Sequence, residues 1–310
     1  MSNEVELKFE VDTPTISLLI PFFNQYQVMS QAKLALTNSY YDTKDNFLRN
    51  NRSSLRIRGT TESAKPTQYE ITVKSGGNAI AGLHQRNEMN VALPSAKLDL
   101  TVLPSDTVPI QGDIATFQQN LIPLFTTHFN RQVWLISYKQ SEIEIALDQG
   151  TIACKLNGLQ LPIQEIELEL KTGTQSDLLD FALELSQFKL HLFSQSKAGR
   201  GYRLYNHGQL NKQNEFISAD KLTDQISQLL LYWQNNEEYA LANNDLVFYQ
   251  QVIDKISVYL NMTKIDGLHV DKILWIDASK KINSVKEFAF SSLNTQLKLA
   301  LIHWLINFCK

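Results

Sequence analysis

The stretch EVELKFEV, Glu4 to Val11, places a charged residue at every second position and an apolar one between each pair. As a strand it carries Glu4, Glu6, Lys8 and Glu10 on one face and Val5, Leu7, Phe9 and Val11 on the other. An antiparallel strand with one wet face alternates in the same way, so the meaning of the stretch comes from its company. Five further segments repeat the pattern. SLRIRG presents Arg56 and Arg58; QYEITVK presents Glu70, Thr72 and Lys74; HQRNEMNV presents Arg86 and Glu88. SEIEIALD presents Glu142, Glu144 and Asp148, and QEIELELK presents Glu165, Glu167, Glu169 and Lys171. Solvated faces usually mix Ser, Thr, Gln and Lys, whereas these rows are concentrated Glu and Arg. Carboxylates spaced two apart on one face repel and call for a cation. Mg²⁺ and Mn²⁺ take such hard oxygen ligands, with water and phosphate completing the shell. Arginine and lysine on neighbouring strands would hold the anion. A closed barrel with an ionic interior and apolar residues packed outward under helices meets both needs, and its expected ligand is a polyphosphate.

The rest of the chain sets the frame. Its 310 residues, 43% hydrophobic, suffice for two cores. A net charge of -3 excludes a generally basic nucleic-acid binder. All eight arginines (49, 52, 56, 58, 86, 131, 200 and 203) precede residue 204, which places an anion site in the N-terminal part. Cys154 and Cys309 stand in neither ligand nor redox spacing, as expected of a reduced cytoplasmic protein. The first 30 residues lack the pattern of a signal peptide, no run approaches the ~20 apolar residues of a membrane span, and a soluble protein is expected.

Period-2 alternation predicts strands over 4–11, 37–42, 53–60, 67–75, 83–93, 130–139, 141–149, 151–156 and 163–172. Their spacing suggests an antiparallel meander or barrel. Asp12 and Pro14 mark a helix start, with Ile16, Leu19, Ile20 and Phe23 on its apolar face and a reach of about 15–29. Further helices are expected over 113–125 and after Ser176 and Asp177. GQLNKQNE reads as a linker at 206–215, and apolar stripes beyond it predict three or four helices in a second domain, 216–310. The stripes are Leu222, Ile226, Leu229, Leu230 and Trp233; then Phe248, Val252, Ile256, Tyr259 and Leu260; then Leu293, Leu297, Leu301, Trp304 and Phe308.

On these residues the chain resembles the CYTH, or triphosphate tunnel metalloenzyme, family. The family's hallmark Glu-x-Glu-x-Lys on the first strand is matched by Glu4, Glu6 and Lys8. YYDT (40–43), LRIR (55–58), EITVK (70–74), HQRNE (84–88), FNRQVW (129–134), IALDQG (145–150), EIELELKTG (165–173) and SKAGRGYRL (196–204) follow in family order. The resemblance covers residues 1–205. It implies an α+β fold, an eight-stranded antiparallel barrel whose tunnel binds a triphosphate with Mg²⁺ or Mn²⁺, two ions per site. Glu4, Glu6, Asp148, Glu165, Glu167 and Glu169 are the implied metal ligands. Lys8, Arg56, Arg58, Lys74, Arg86, Arg131, Lys171 and Arg200 are the implied phosphate ligands, and Lys197, Glu167 and Arg58 the catalytic groups. Glu70, Glu142 and Glu144 are equally readable as ion-pair partners, Glu10 as solvated, Tyr41 and Asp42 as structural. The six histidines (84, 128, 191, 207, 269 and 303) have no ligand spacing. The implied reaction is hydrolysis of inorganic triphosphate. Adenylate cyclisation, thiamine-triphosphate or nucleotide hydrolysis, and a non-catalytic polyphosphate module remain open alternatives on the same fold. Longer members carry a helical CHAD domain after the barrel. Residues 216–310 occupy that place but are too few, lack arginine, and hold only His269 and His303. They are expected to support the barrel or to form a homodimer interface.

Overall fold

The computed structural model describes residues 2–80, 82–193, 195–215, 219–268 and 270–308. Strands β1 (Ser2–Val11), β2 (Gln27–Asp42), β3 (Ser53–Glu62), β4 (Gln68–Ile80), β5 (Leu83–Leu93), β6 (Ile122–Tyr138), β7 (Ser141–Ala153) and β8 (Gln160–Thr172) form one antiparallel sheet. The order is β5-β4-β3-β2-β6-β7-β8-β1, and pairing of β1 with β5 closes it into an eight-stranded barrel. A short strand β9 (Leu190–Leu192) adds to β1 where β5 leaves it, pairing with Phe9, Glu10 and Val11. Helices α1 (Thr13–Phe23), α2 (Phe47–Asn50), α3 (Ile114–Asn120), α4 (Gln175–Leu185) and α5 (Lys197–Tyr205) lie among the strands. Helices α6 (Leu222–Asn243), α7 (Leu246–Met262), α8 (Lys272–Ser279), α9 (Val285–Ala289) and α10 (Ser292–Phe308) follow.

The barrel is inside out compared with a water-facing one. Val5, Leu7, Phe9 and Val11 of β1 are buried on the outer face. They pack in one core with Ile16, Leu19 and Phe23 of α1, Leu178, Phe181 and Leu185 of α4, and Ile226, Leu229 and Trp233 of α6. Each such side chain contributes roughly 1.5–3 kcal/mol by leaving water. The outward apolar row therefore fixes the register that turns Glu4, Glu6 and Lys8 inward, because a one-residue slip would exchange the faces. The C-terminal helices share that continuous core with β1, β8 and β9. Two smaller cores cover the remaining outer wall. One joins β2, β6 and β7 to α5 through Leu36, Phe125, Phe129 and Tyr202. The other joins β3 and β4 to α2 and α3 through Leu48, Ile57, Ile71 and Phe117.

Several element boundaries differ from the sequence reading, each for a local reason. Strand β2 starts at residue 27 rather than 37, because residues 27–36 also pair with β6; residues 27–33 are mostly exposed, with Val28 packed on the main core, and a register shift between Val28 and Ser30 interrupts the alternation. The segment 141–149 and residues 151–153 are one strand, and 154–156 lie beyond its end in a turn. Gly150 links them because β6 approaches so closely that a Cβ there would strike His128 O and Phe129. The helix expected over 113–125 ends at Asn120, where Leu121 turns extended into β6. Helix α1 stops at Phe23 rather than near 29, with Pro21 in its last turn; Asp12 caps it, accepting from the Thr15 amide at 3.0 Å. Trp275 and Trp304 of the C-terminal helices are both buried, so neither ring is exposed for a homodimer interface.

Candidate active site

The barrel encloses a cavity of about 280 Å³. Its lining includes every sequence-expected site residue except Asp148, Glu165 and Arg200, together with Tyr40, Ser54, Thr72, Glu88, Asn90, Glu144 and Ser196. Among the described residues eight cationic and six carboxylate side chains line it, and the charge is sorted by strand. The contiguous strands β7, β8 and β1 supply Glu144, Glu167, Glu169, Glu4 and Glu6, an acidic wall. Across the barrel, β5, β4, β3 and β6 supply Arg86, Lys74, Arg56, Arg58 and Arg131, a basic wall. Glu88 is an acidic exception on β5, and Lys8 and Lys171 are basic ones on β1 and β8.

Within the acidic wall lies a knot of buried charge. Asp148, Glu165 and Glu167 can bring one oxygen each within 4.8 Å of one another, a grouping able to hold a metal ion. The Lys197 Nζ stands among them, 2.6 Å from Asp148 and 3.1 Å from Glu167, and is also paired with Glu165. Arg131 binds Asp148 through two nitrogens, both at 2.7 Å, and reaches Glu167 at 2.6 Å. Arg200 pairs with Glu165 from behind the wall. Asp148 and Glu165 are 0% and 1% exposed, which is why they do not reach the cavity. The nearer carboxylates have fewer cations: Lys8 bridges Glu6 at 2.7 Å and Glu167, while Lys74 binds Glu4 at 2.6 Å and Glu88 at 3.3 Å. Glu6 stands opposite Glu169 in register between β1 and β8.

These contacts shift proton affinities in opposite directions on one strand. Burial, reinforced by Glu6 and Glu88 and only partly opposed by Lys74, pushes the Glu4 carboxyl up to about 7. Burial acts on Glu6 as well, but Lys8 and Lys74 outweigh it and hold that carboxyl down to about 2. Glu167, despite its burial, is held well below the carboxylate range by Lys197, Lys8 and Arg131. Burial together with the neighbouring Arg56 and Arg131 lowers Arg58 to about 10. Arg58 stays charged at neutral pH, in a crowd of like charge that an anion would relieve. Its Nε donates to Asn38 at 2.9 Å, and Asn38 in turn donates to Thr127 at 2.8 Å.

Helix α5 delivers Lys197 to this wall. Ser196 caps it, accepting from the Gly199 amide at 3.0 Å. Gly201 lies flat on the Phe125 ring, where a Cβ would collide. Tyr202 donates to Asp42 at 2.8 Å. Asp42, wholly buried, also accepts the amides of Thr43, Leu48 and Arg49, so it joins β2, α2 and α5. Among residues that sequence reasoning left unassigned, Glu88 contacts Arg56 at 3.6 Å and Lys74; its alternation with Arg86 already placed it on the inner face. Glu144 lines the cavity, whereas Glu70 pairs with Arg58 at 3.8 Å toward the rim. The Glu10 side chain is half exposed. His84 and His191 are buried, His128 and His207 exposed and His303 half-buried, while His269 lies outside the described residues.

An enclosed tunnel of opposed ionic walls in an eight-stranded barrel defines the class, and the sequence agrees: the CYTH domain family model matches residues 2–202, and the chain belongs to that family. The inorganic triphosphatase of Haemophilus influenzae is 31% identical over 277 residues, covering 84% of this chain and 76% of that protein. Among solved structures, a putative adenylyl cyclase from Hippeastrum described as having a dominant triphosphatase activity superposes with TM-score 0.47 at 15% identity, over 68% of this chain and 98% of its own. A putative adenylate cyclase from Bacillus halodurans gives TM-score 0.37 at 22% identity, over 60% of this chain and 92% of its own. Triphosphate hydrolysis in the tunnel is the activity that family and relative support. Among the described residues no helix is long and apolar enough to cross a membrane.

Proposed function

We propose that the protein hydrolyses inorganic triphosphate to pyrophosphate and phosphate in the tunnel, with Mg²⁺ or Mn²⁺. The observation that carries the reading is the sorting of charge into an acidic wall on β7, β8 and β1 facing a basic wall on β5, β4, β3 and β6. A metal–polyphosphate complex is polarised in the same way, metal on one side and phosphate oxygens on the other. The chain's choice of inorganic triphosphate over a nucleotide rests on the lining. Among the described residues Tyr40 is the one aromatic of the lining, and that ring is stacked on Phe125 with centroids 4.7 Å apart, so these residues offer a base no stacking platform.

The donor set fits a hard cation: Glu4, Glu6, Glu167 and Glu169 face the cavity as carboxylate oxygens, with Asp148 and Glu165 behind them as ligands that become accessible when Lys197 withdraws. When bound, the metal supplies charge neutralisation of the phosphates and a more acidic water. The chain's own groups do the rest. Arg56, Arg58, Arg86 and Arg131 hold the phosphate oxygens with paired N–H donors, with Lys8, Lys74 and Lys171 as point charges and Arg200 bracing the wall through Glu165. Glu167 orients the attacking water. Lys197 stabilises charge on the transferring phosphoryl group, and Arg58, freed from its crowd of cations by the anion, stabilises it from the opposite wall. Release of phosphate, pyrophosphate and cyclic AMP from tripolyphosphate, ATP and thiamine triphosphate, each with Mg²⁺ or Mn²⁺, tests this. A kcat/KM highest for tripolyphosphate supports it. Preference for ATP with cyclic AMP as product assigns the cyclase instead, and no turnover of any substrate leaves a binding module.

A further inference from the structure

The segment that leads into α5 is gripped by the C-terminal helices at successive points. Thr295 of α10 donates its hydroxyl to Leu190 O. His191 Nε2 lies 2.9 Å from the Glu237 carboxylate of α6. Phe193 N then donates to Lys8 O of the tunnel strand at 3.1 Å. One step before the Ser196 cap, the Gln195 amide nitrogen donates to the carboxylate of Glu238, the next residue of α6, and its amide oxygen accepts from Arg203 of α5. Glu238 is 7% exposed. An ionised carboxylate can only accept, so Glu238 takes the NH₂ end of the amide and leaves the oxygen as the end presented to Arg203. The Gln195 amide is thus clamped between a buried carboxylate on α6 and a guanidinium of α5, and links the two helices.

We propose that Glu238, acting through Gln195, is a positioning residue for Lys197 and Arg200, so that the C-terminal helices set the register of the active-site helix against the acidic wall. The inference rests on the triphosphatase reading of the tunnel. Without the Glu238 carboxylate the Gln195 amide keeps its oxygen on Arg203 but loses its tie to α6, and the first turn of α5 moves relative to Asp148, Glu165 and Glu167. A displacement of about 1 Å at such a site costs on the order of 10²-fold in rate.

The test uses the full chain with Mg²⁺ and tripolyphosphate. Glu238→Leu is expected to raise KM roughly 5-fold and lower kcat roughly 10-fold, whereas loss of folded protein alone would leave KM unchanged. Gln195→Leu breaks the same link from the barrel side and gives the same result should Glu238→Leu fold poorly. Glu238→Gln, whose amide oxygen can accept the same bond, regains most of both parameters. In a Lys197→Ala background Glu238→Leu costs severalfold less in kcat/KM than it does with Lys197 present, because part of its effect runs through Lys197 and only the part carried by Arg200 remains. Wild-type KM and kcat in both leucine variants, or an equal loss with and without Lys197, overturns the positioning role alone. An unmodified protein that turns over no tripolyphosphate overturns the tunnel reading, and the positioning role falls with it.

Discussion

Two clusters of buried charge in this molecule look alike and behave differently. In the C-terminal region Glu237 accepts from His191, Trp233, Tyr249, Asn294 and Lys298, and both Glu237 and Lys298 are wholly buried. Five donors saturate a carboxylate with about four lone-pair sites. The tunnel instead arranges an excess of cations around a cavity, with Arg58 forced beside Arg56 and Arg131 and Glu4 beside Glu6 and Glu88. The first cluster is complete within the protein; the second is completed by a ligand. Buried charge on its own therefore identifies neither a site nor a scaffold. Unrelieved like charge next to open space is the distinguishing feature.

The largest expected effect is on the closed cluster. Glu237→Ala leaves Lys298 buried without its counter-charge and should lower unfolding free energy by about 3–5 kcal/mol in urea titration. The tunnel should respond in activity and not in stability. Arg58→Ala is expected to raise the barrier by about 3 kcal/mol, on the order of 100-fold in kcat/KM, with an unfolding midpoint unchanged or slightly higher, since one crowded cation is gone. A large loss of stability in Arg58→Ala would erase the contrast.

Titration separates Glu4 of the tunnel from Glu237 of the closed cluster by sign, whereas Glu6 and Glu167 of the tunnel shift downward as Glu237 does. Glu4 is raised from its ordinary 4.5 to about 7, so the folded tunnel binds that proton more tightly than the unfolded chain does. Its contribution is full below 4.5 and is lost as pH rises toward 7. Glu237 is lowered from 4.5 to about 2 because Lys298 and His191 outweigh its burial. Its contribution is present above 4.5 and is lost as pH falls toward 2. Stability measured against pH should therefore lose its downward slope between 4.5 and 7 in Glu4→Gln. Divalent-cation affinity in the unmodified protein should rise up to about tenfold per pH unit below 7 as the Glu4 proton leaves. The smallest effect is expected at Glu10, on the same strand face as Glu4 and Glu6. Its half-exposed side chain predicts turnover within about twofold in Glu10→Gln.

The barrel was legible because its inner and outer rows alternate with period two over nearly every strand. The alternation failed at residues 27–33, where β2 is mostly exposed and shifts register between Val28 and Ser30, and at Gly150, where a close strand crossing looked like a break. The lining residues were legible for the same reason: a charge opposite an outward Leu or Ile has nowhere to point but inward. What alternation could not show was depth. Asp148 and Glu165 carry the same pattern as Glu167 and Glu169 but are sealed behind Lys197 and Arg200, because α5 arrives at that end of the barrel through long-range contacts. The ties from Glu237 and Glu238 to β9 and Gln195 were equally illegible, since they join residues more than 40 positions apart without any local motif.

The claim that the tunnel is an ionic network completed by a polyanion is tested most directly by the thermal unfolding midpoint of the metal-free protein, in EDTA, against tripolyphosphate concentration. The account predicts a saturable rise, corresponding to about 2.7 kcal/mol at 100 times the dissociation constant, which orthophosphate does not reproduce at equal concentration and Arg58→Ala weakens. A midpoint indifferent to tripolyphosphate would contradict it.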